Sequence, residues 1–187
     1  MDTNSYHALA ELIRGRRSVD RFRPELPAPT LIREAIELAR WAPNHRLTEP
    51  WHFYLCGPQT RQAIIDLNAE IVAAKQGQAA AEAKRTRWAQ VPGYLVMTCD
   101  RSDDPLRAQE DYGACACAAQ NLMLALWARG IGSKWTSGDV TRDRRLYDLL
   151  WLDPQQETVV GLFWYGYPQE VPASTRKGVE AITVELP

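Results

Sequence analysis

The sequence predicts one domain, spanning residues 1–187, in which a β-sheet is covered by helices. Three observations carry that expectation. The chain has 187 residues, 45% of them hydrophobic, enough for one well-buried core and short for two ordinary domains. Segments of helical periodicity alternate with short apolar runs of strand length. Glycine and proline punctuate the junctions between them.

The elements follow in order. Tyr6, Leu9, Leu12 and Ile13 recur at helical spacing and Gly15 then lets the chain turn, so a short amphipathic helix delivers Arg16-Arg17-Ser18 at its carboxyl end. Pro24, Pro27 and Pro29 keep the next stretch extended. Thr30 is placed to cap a helix whose apolar face is Leu31, Ile32, Ala35, Ile36 and Ala39, and which stops near Pro43. Asn44 to Pro50 has no periodicity and reads as a loop leading into a strand, Trp51 to Cys56, ended by Gly57-Pro58. From about Thr60 to Gln90 the chain is rich in Ala, Glu, Lys, Gln and Arg, which suggests helices with one shallow buried face and a candidate for a mobile lid. Tyr94 to Cys99 is a second strand. Arg107 to Arg129 is a long helix, apolar almost all round, suited to burial in the core or against a second subunit and ended by Gly130 and Gly132. Thr141 to Leu150 gives another helix and Val159 to Tyr165 another strand. The tail after Pro168, through Arg176 to Pro187, is linker-like and suited to wrapping a partner.

Composition excludes several function classes. With 22 basic against 23 acidic residues, the net charge of −1 gives no global attraction for nucleic acid or an anionic membrane. Cys56, Cys99, Cys115 and Cys117 form no CxxC pair, and His7, His45 and His52 are scattered singly, so no metal site is expected. The amino terminus lacks the apolar run of a signal peptide and no stretch approaches membrane-span length, which predicts a cytoplasmic protein. Neither GxGxxG nor GxxxxGK[ST] occurs, against a Rossmann domain or P-loop hydrolase. The GxSxG nucleophile signature is also absent.

Three constellations remain. Arg16-Arg17-Ser18 supplies two guanidinium groups and a hydroxyl in one turn, a set suited to a dianionic phosphate through paired, charge-assisted hydrogen bonds. A solvated basic doublet favoured by the helix dipole has the same composition. Asn44-His45-Arg46 places amide, imidazole and guanidinium donors in an irregular loop, where they either read a polar heterocycle or cap the loop. Trp135-Thr136-Ser137-Gly138, after Gly130-Ile131-Gly132-Ser133-Lys134, is a turn-strand-turn that either contacts a planar ligand or is a buried strand. Trp51 and Trp135 lie beside these polar loops.

Taken in order, Arg16-Arg17-Ser18-Val19 with Phe22, Ala42-Pro43 through Pro50-Trp51-His52-Phe53, and Asn121-Leu122 through Gly130-Ile131-Gly132-Ser133 with Trp135 resemble the nitroreductase family of flavin mononucleotide (FMN) enzymes. The resemblance covers nearly the whole chain, and the short Ala-Pro-Asn-His-Arg motif is similar to that of the small, minimal members. It implies an α+β fold with a central, mainly antiparallel sheet flanked by helices, and an intertwined homodimer with FMN at the subunit interface. Arg16, Arg17 and Ser18 would hold phosphate and ribityl oxygens. Trp41 and His45 would come from the other subunit, Trp135, Thr136 and Ser137 would line the flavin, and Arg176 would stand near the phosphate. Arg129 and Gly130 are the candidates for nicotinamide-nucleotide contact.

The same resemblance implies NADH or NADPH as electron donor, a nitroaromatic, quinone or related small-molecule acceptor, and ping-pong turnover at one open flavin face. The flavin N5 rather than a catalytic side chain takes the hydride. A flavin-binding or flavin-sequestering protein without turnover, and a flavin-degrading or dehalogenating relative, share these motifs. Leu47 stands where many members have Asn and Glu49 where many have Gln. A carboxylate beside a reduced flavin is unfavourable, so Glu49 is expected to point away or to pair with Arg46.

Overall fold

A computed structural model describes residues 3–187. In chain order the elements are α1 (Thr3–Gly15), α2 (Pro29–Ala39), β1 (Trp51–Cys56), α3 (Pro58–Gln76), α4 (Gln78–Ala89), β2 (Gly93–Asp100), α5 (Pro105–Ala128), β3 (Gly132–Thr136), α6 (Arg144–Leu150) and β4 (Glu157–Gly166). The strands join in the order β1-β2-β4-β3, every neighbouring pair antiparallel. The expected α+β class with an antiparallel sheet is therefore observed.

Central strand β2 is buried on both faces because its alternate residues enter different cores. Leu95 and Met97 meet α2 and α5 through Ile32, Ala35, Ala114, Cys115, Ala118 and Leu122. Tyr94 and Val96 meet α3, α4 and α6 through Ile64, Ile65, Trp88 and Leu146. Each such fully buried aliphatic side chain contributes roughly 1.5–3 kcal/mol.

Several sequence expectations are corrected. Residues 60–90 are not a lid over one shallow face: α3 buries Ile64, Ile65, Leu67, Asn68, Ala69, Ile71 and Val72, so with α4 it forms one of the two helical layers on the sheet. Small residues disguised that depth, since alanine buries as well as leucine where helices approach closely. Thr30 does not cap α2. Pro29 opens the helix after Ala28, with no side-chain cap, because proline is pre-set for the first helical position and lacks the N–H that a cap would satisfy. The helix expected from Thr141 starts at Arg144: Thr141 lies in a 3-10 turn, Asp143 is extended, and its carboxylate accepts from the Arg145 backbone N–H at 3.0 Å.

Asp104 caps α5 in the same way, accepting from the Leu106 N–H at 2.9 Å and the Arg107 N–H at 3.4 Å. Asp104→Ala is expected to cost about 1 kcal/mol, seen as a melting temperature roughly 2–4 °C lower in a thermal melt.

One chain leaves much apolar surface uncovered. No residue of α1 is buried, and Tyr6, Leu9 and Ile13 are 65%, 53% and 51% exposed. The tail beyond Pro168 is exposed throughout, including Val171, Ile182, Val184 and Leu186. The long helix is not covered all round: Tyr112, Gly113, Cys117 and Gln120 of α5 face outward. Exposed apolar side chains in this number mark candidate interaction surface. Among the described residues no helix is long and apolar enough to cross a membrane, and no cluster of His, Cys, Asp and Glu is arranged to hold a metal ion.

Candidate functional site

The segment after α1 is pinned against the edge of the sheet. The Arg16 N–H closes the helix on the Leu12 carbonyl at 3.0 Å, Ser18 forms a parallel bridge with Ser133 of β3, and the Val19 N–H donates to the Ser133 carbonyl at 3.1 Å. Only glycine at position 132 permits that approach. A methyl group there would lie 2.6 Å from Val19 Cγ2 and 2.9 Å from Pro168 Cγ.

This seam concentrates positive charge without neutralising it. Burial, then the neighbouring Arg17 and Arg176 charges, lowers the pKa of the Arg16 guanidinium from its ordinary value, though an arginine remains charged. Among the described residues neither Arg16, Arg17 nor Arg176 forms an ion pair with a carboxylate. Asp20, the nearest acid in sequence, is already held by Lys134 at 2.5 Å and Arg87 at 2.9 Å. Arg17 turns back on α1, its Nη1 donating to the Arg14 and Arg16 carbonyls at 2.5 and 2.8 Å. Arg176, on the exposed tail, adds its charge to the field at Arg16 and donates to the Thr175 carbonyl at 2.8 Å.

The seam also holds unmet hydrogen-bonding capacity. Arg16 Nη1 and Ser133 Oγ are buried with no partner among the described residues; Thr136 Oγ1 is unpaired as well, but it lies on the other face of β3 from Ser133. Folded proteins leave few buried polar atoms unpaired, and those that remain call for an explanation such as a bound group. A phosphate fits: the donors here are cationic or hydroxylic, and the nearby Asp20 carboxylate is taken up by Lys134 and Arg87.

Beyond Ser133, the indole of Trp135 is fixed on three sides. Its Nε1 donates to the Val160 carbonyl at 3.2 Å, its ring stacks on Phe163 at 5.5 Å between centroids, and Gly161 makes room for it, since a methyl group there would lie 2.0 Å from Nε1. Ser137 follows, exposed, at the end of β3. At the same end of α5, Trp127 Nε1 packs by Gly15. Arg129 pairs with Glu34 of α2 at 2.8 Å, and Gly130 takes the left-handed turn out of the helix at φ 71°.

The other predicted residues lie elsewhere. Trp41 is 73% exposed, with the Arg40 guanidinium 5.5 Å above its ring. His45 is exposed in a loop against the opposite end of α5, where Thr48 Oγ1 donates to Asp111 Oδ1 at 2.6 Å. Along α5, Asp111 and Trp127 are about 24 Å apart at 1.5 Å per residue. A single chain therefore does not bring His45 to the Arg16 seam. The loop itself is strained: Arg46, Leu47 and Glu49 all adopt positive φ, 57°, 53° and 45°, at a cost of roughly 1–3 kcal/mol each. Glu49 does not pair with Arg46. It is exposed, and its backbone N–H donates to Asn44 Oδ1 at 3.0 Å.

Comparison with known proteins decides the family. The nitroreductase family model matches residues 13–167. The chain belongs to the nitroreductase family. YfhC of Bacillus subtilis, whose name assigns it provisionally to the NAD(P)H nitroreductases, is 30% identical over 173 residues, covering 90% of this chain and 89% of its own. A nitroreductase-like family protein from Bacillus cereus superposes with a TM-score of 0.82 at 27% identity, covering 95% of both chains. The FMN-dependent nitroreductase NfnB from Mycobacterium smegmatis, solved with NADPH, shares the fold with a TM-score of 0.80 at 19% identity, covering 98% of this chain and 100% of its own.

For this nitroreductase chain, sequence reasoning found the Arg16 seam and the Trp135 strand but passed over three residues. Ser133 stands inside a glycine motif that draws attention to the turn rather than to its hydroxyl. Gly161 sits inside a strand, where a glycine marks close approach of another group. Asp111 occupies the core-facing stripe of α5 with Ala114, Cys115 and Ala118, and a charge on such a stripe was the available signal.

Proposed function

We propose that the chain is an FMN-dependent oxidoreductase that draws electrons from NADH or NADPH and passes them to nitroaromatic, quinone or related acceptors, as a homodimer with FMN between the subunits. The observation that carries this reading is the Arg16 seam: a buried, unpartnered guanidinium nitrogen near the charges of two more arginines, with the unpaired Ser133 hydroxyl on the strand bridged to Ser18. Family membership supports the choice of FMN as the phosphate ester that fills it.

Arg16, Arg17, Arg176 and Ser18 would hold the phosphate and ribityl oxygens, while Trp135, Thr136 and Ser137 would border the ring. Bound there, FMN would supply the hydride-transfer chemistry that no protein side chain can. The chain's own part is to bind and orient. The indole of Trp135 cannot rotate out of its stack on Phe163 without giving up its hydrogen bond to Val160. Trp41 and His45, remote from the seam in their own chain, would complete the partner's site. Donor and acceptor using one face in turn gives ping-pong kinetics. Arg129, freed from Glu34, and Gly130 are the proposed contacts for the nicotinamide nucleotide.

Reconstitution tests the reading. Purified protein mixed with FMN is expected to retain a yellow chromophore absorbing at roughly 450 nm, which bleaches anaerobically on adding NADH or NADPH. Colourless protein that takes up no FMN overturns it, whereas bound FMN that neither nucleotide reduces identifies a flavin-sequestering protein.

The dimer has a separate check in thiol chemistry. Cys99 and Cys115 are buried, and burial pushes the Cys56 thiol up to about 12, so all three should be inert at neutral pH. Cys117 is exposed on the uncovered face of α5. In the dimer it is expected to react with Ellman's reagent about tenfold or more slower than in urea, and one fast-reacting thiol in the native protein would count against that interface.

A further inference from the structure

The loop after α2 is held in an unfavourable shape by little of its own. Besides the Asn44 to Glu49 hydrogen bond at 3.0 Å, its internal ties are a long Thr48 N–H to His45 carbonyl contact at 3.4 Å and one from Asn44 Nδ2 to the Ala42 carbonyl at 3.3 Å. Its strong tie to the rest of the molecule is Thr48 Oγ1 donating to Asp111 Oδ1 at 2.6 Å, at the short end of the O–H···O range.

Asp111 is an odd tenant of its position. Its side chain is 3% exposed, on the stripe by which α5 packs into the core, and its second oxygen receives only a 3.4 Å contact from Arg107 Nε. A buried carboxylate is costly to keep unless something depends on its hydrogen bonds. What depends on it here is the loop bearing His45 and Arg46, which together with Thr48, Arg107 and Asp111 borders a cavity of about 400 Å³.

We infer that Asp111 is a positioning residue: by gripping the right-handed Thr48 it holds its neighbours Arg46, Leu47 and Glu49 in their left-handed geometry, and thereby fixes where His45 meets the flavin of the partner subunit. The second half of this statement rests on the composite flavin site proposed above.

The test uses the full chain with Thr48→Val, which removes the hydroxyl but keeps the shape, Thr48→Ser, which restores it, and Asp111→Asn. Three quantities are read: amide hydrogen exchange of residues 46–49 without FMN, the Kd for FMN, and the visible circular dichroism of bound FMN. Thr48→Val is expected to speed exchange in the loop about tenfold while α5 and β2 keep wild-type rates, to raise the FMN Kd about tenfold, and to alter the flavin dichroism. Thr48→Ser should return all three to wild type. Asp111→Asn should move them in the same direction, with the double variant within about threefold of Thr48→Val alone, as for two residues acting through one bond. Wild-type exchange in Thr48→Val overturns the positioning role. Faster exchange with unchanged Kd and dichroism overturns its link to the flavin. Failure of the wild-type chain to bind FMN defeats the flavin reading itself, and the positioning of the loop is then decided by the exchange data alone.

Discussion

Arg16→Ala is expected to weaken FMN binding by about 100- to 1000-fold while leaving the cofactor-free protein as stable as before, or more so. Two charge-assisted hydrogen bonds from a guanidinium to a phosphate are worth roughly 1.5–3 kcal/mol each, and a total of about 3–4 kcal/mol corresponds to that range of Kd. The opposite effect on the empty protein follows from the same atoms. Arg16 Nη1 is buried without a partner and repelled by Arg17 and Arg176, so its removal takes away a penalty rather than a contact. Fluorescence titration with FMN and a thermal melt of the empty protein read the two halves separately. A large loss of stability in the empty protein would mean that Arg16 is a structural residue. Arg16→Lys, which keeps the charge but loses the paired geometry, should fall between the wild type and alanine.

Gly161→Ala should produce a large loss of stability in the sheet. The added carbon would lie 2.0 Å from Nε1 and 2.4 Å from Cδ1 of Trp135, and the indole has nowhere to retreat without leaving Phe163 and the Val160 carbonyl. Overpacking costs roughly 1–3 kcal/mol and the lost hydrogen bond about 1 kcal/mol more. For a chain of this length about 3 kcal/mol lowers the melting temperature by roughly 6–12 °C. Adding Trp135→Leu to Gly161→Ala is expected to recover most of that loss, because the smaller side chain relieves the collision. If the double variant melts no higher than the single one, the clash is not the cause.

The residues show why some of the molecule was readable beforehand and some was not. Strands such as Trp51 to Cys56 were legible because runs of large apolar residues between turn signals have few other uses. The Arg16 seam was legible as a linear motif, since its charged residues are adjacent in sequence. The depth of α3 was hidden because burial of Ala69 and Asn68 depends on what packs against them, which periodicity does not report. Thr48 and Asp111 are 63 residues apart, and a hydrogen bond at that separation leaves no local trace. The exposed apolar face of α1 was read correctly as amphipathic, but one chain provides nothing for it to meet.

The length of α5 has a consequence for inheritance. It keeps the Arg16 seam and the His45 loop at opposite ends of one subunit, so under the proposed composite site a defect in either half damages a site whose other half is sound. Two inactive alleles, one with Arg16 replaced and one with His45 replaced, should then rescue each other when expressed together. In a mixed dimer one interface collects both lesions and the other collects none, so half the sites of such dimers are fully wild type.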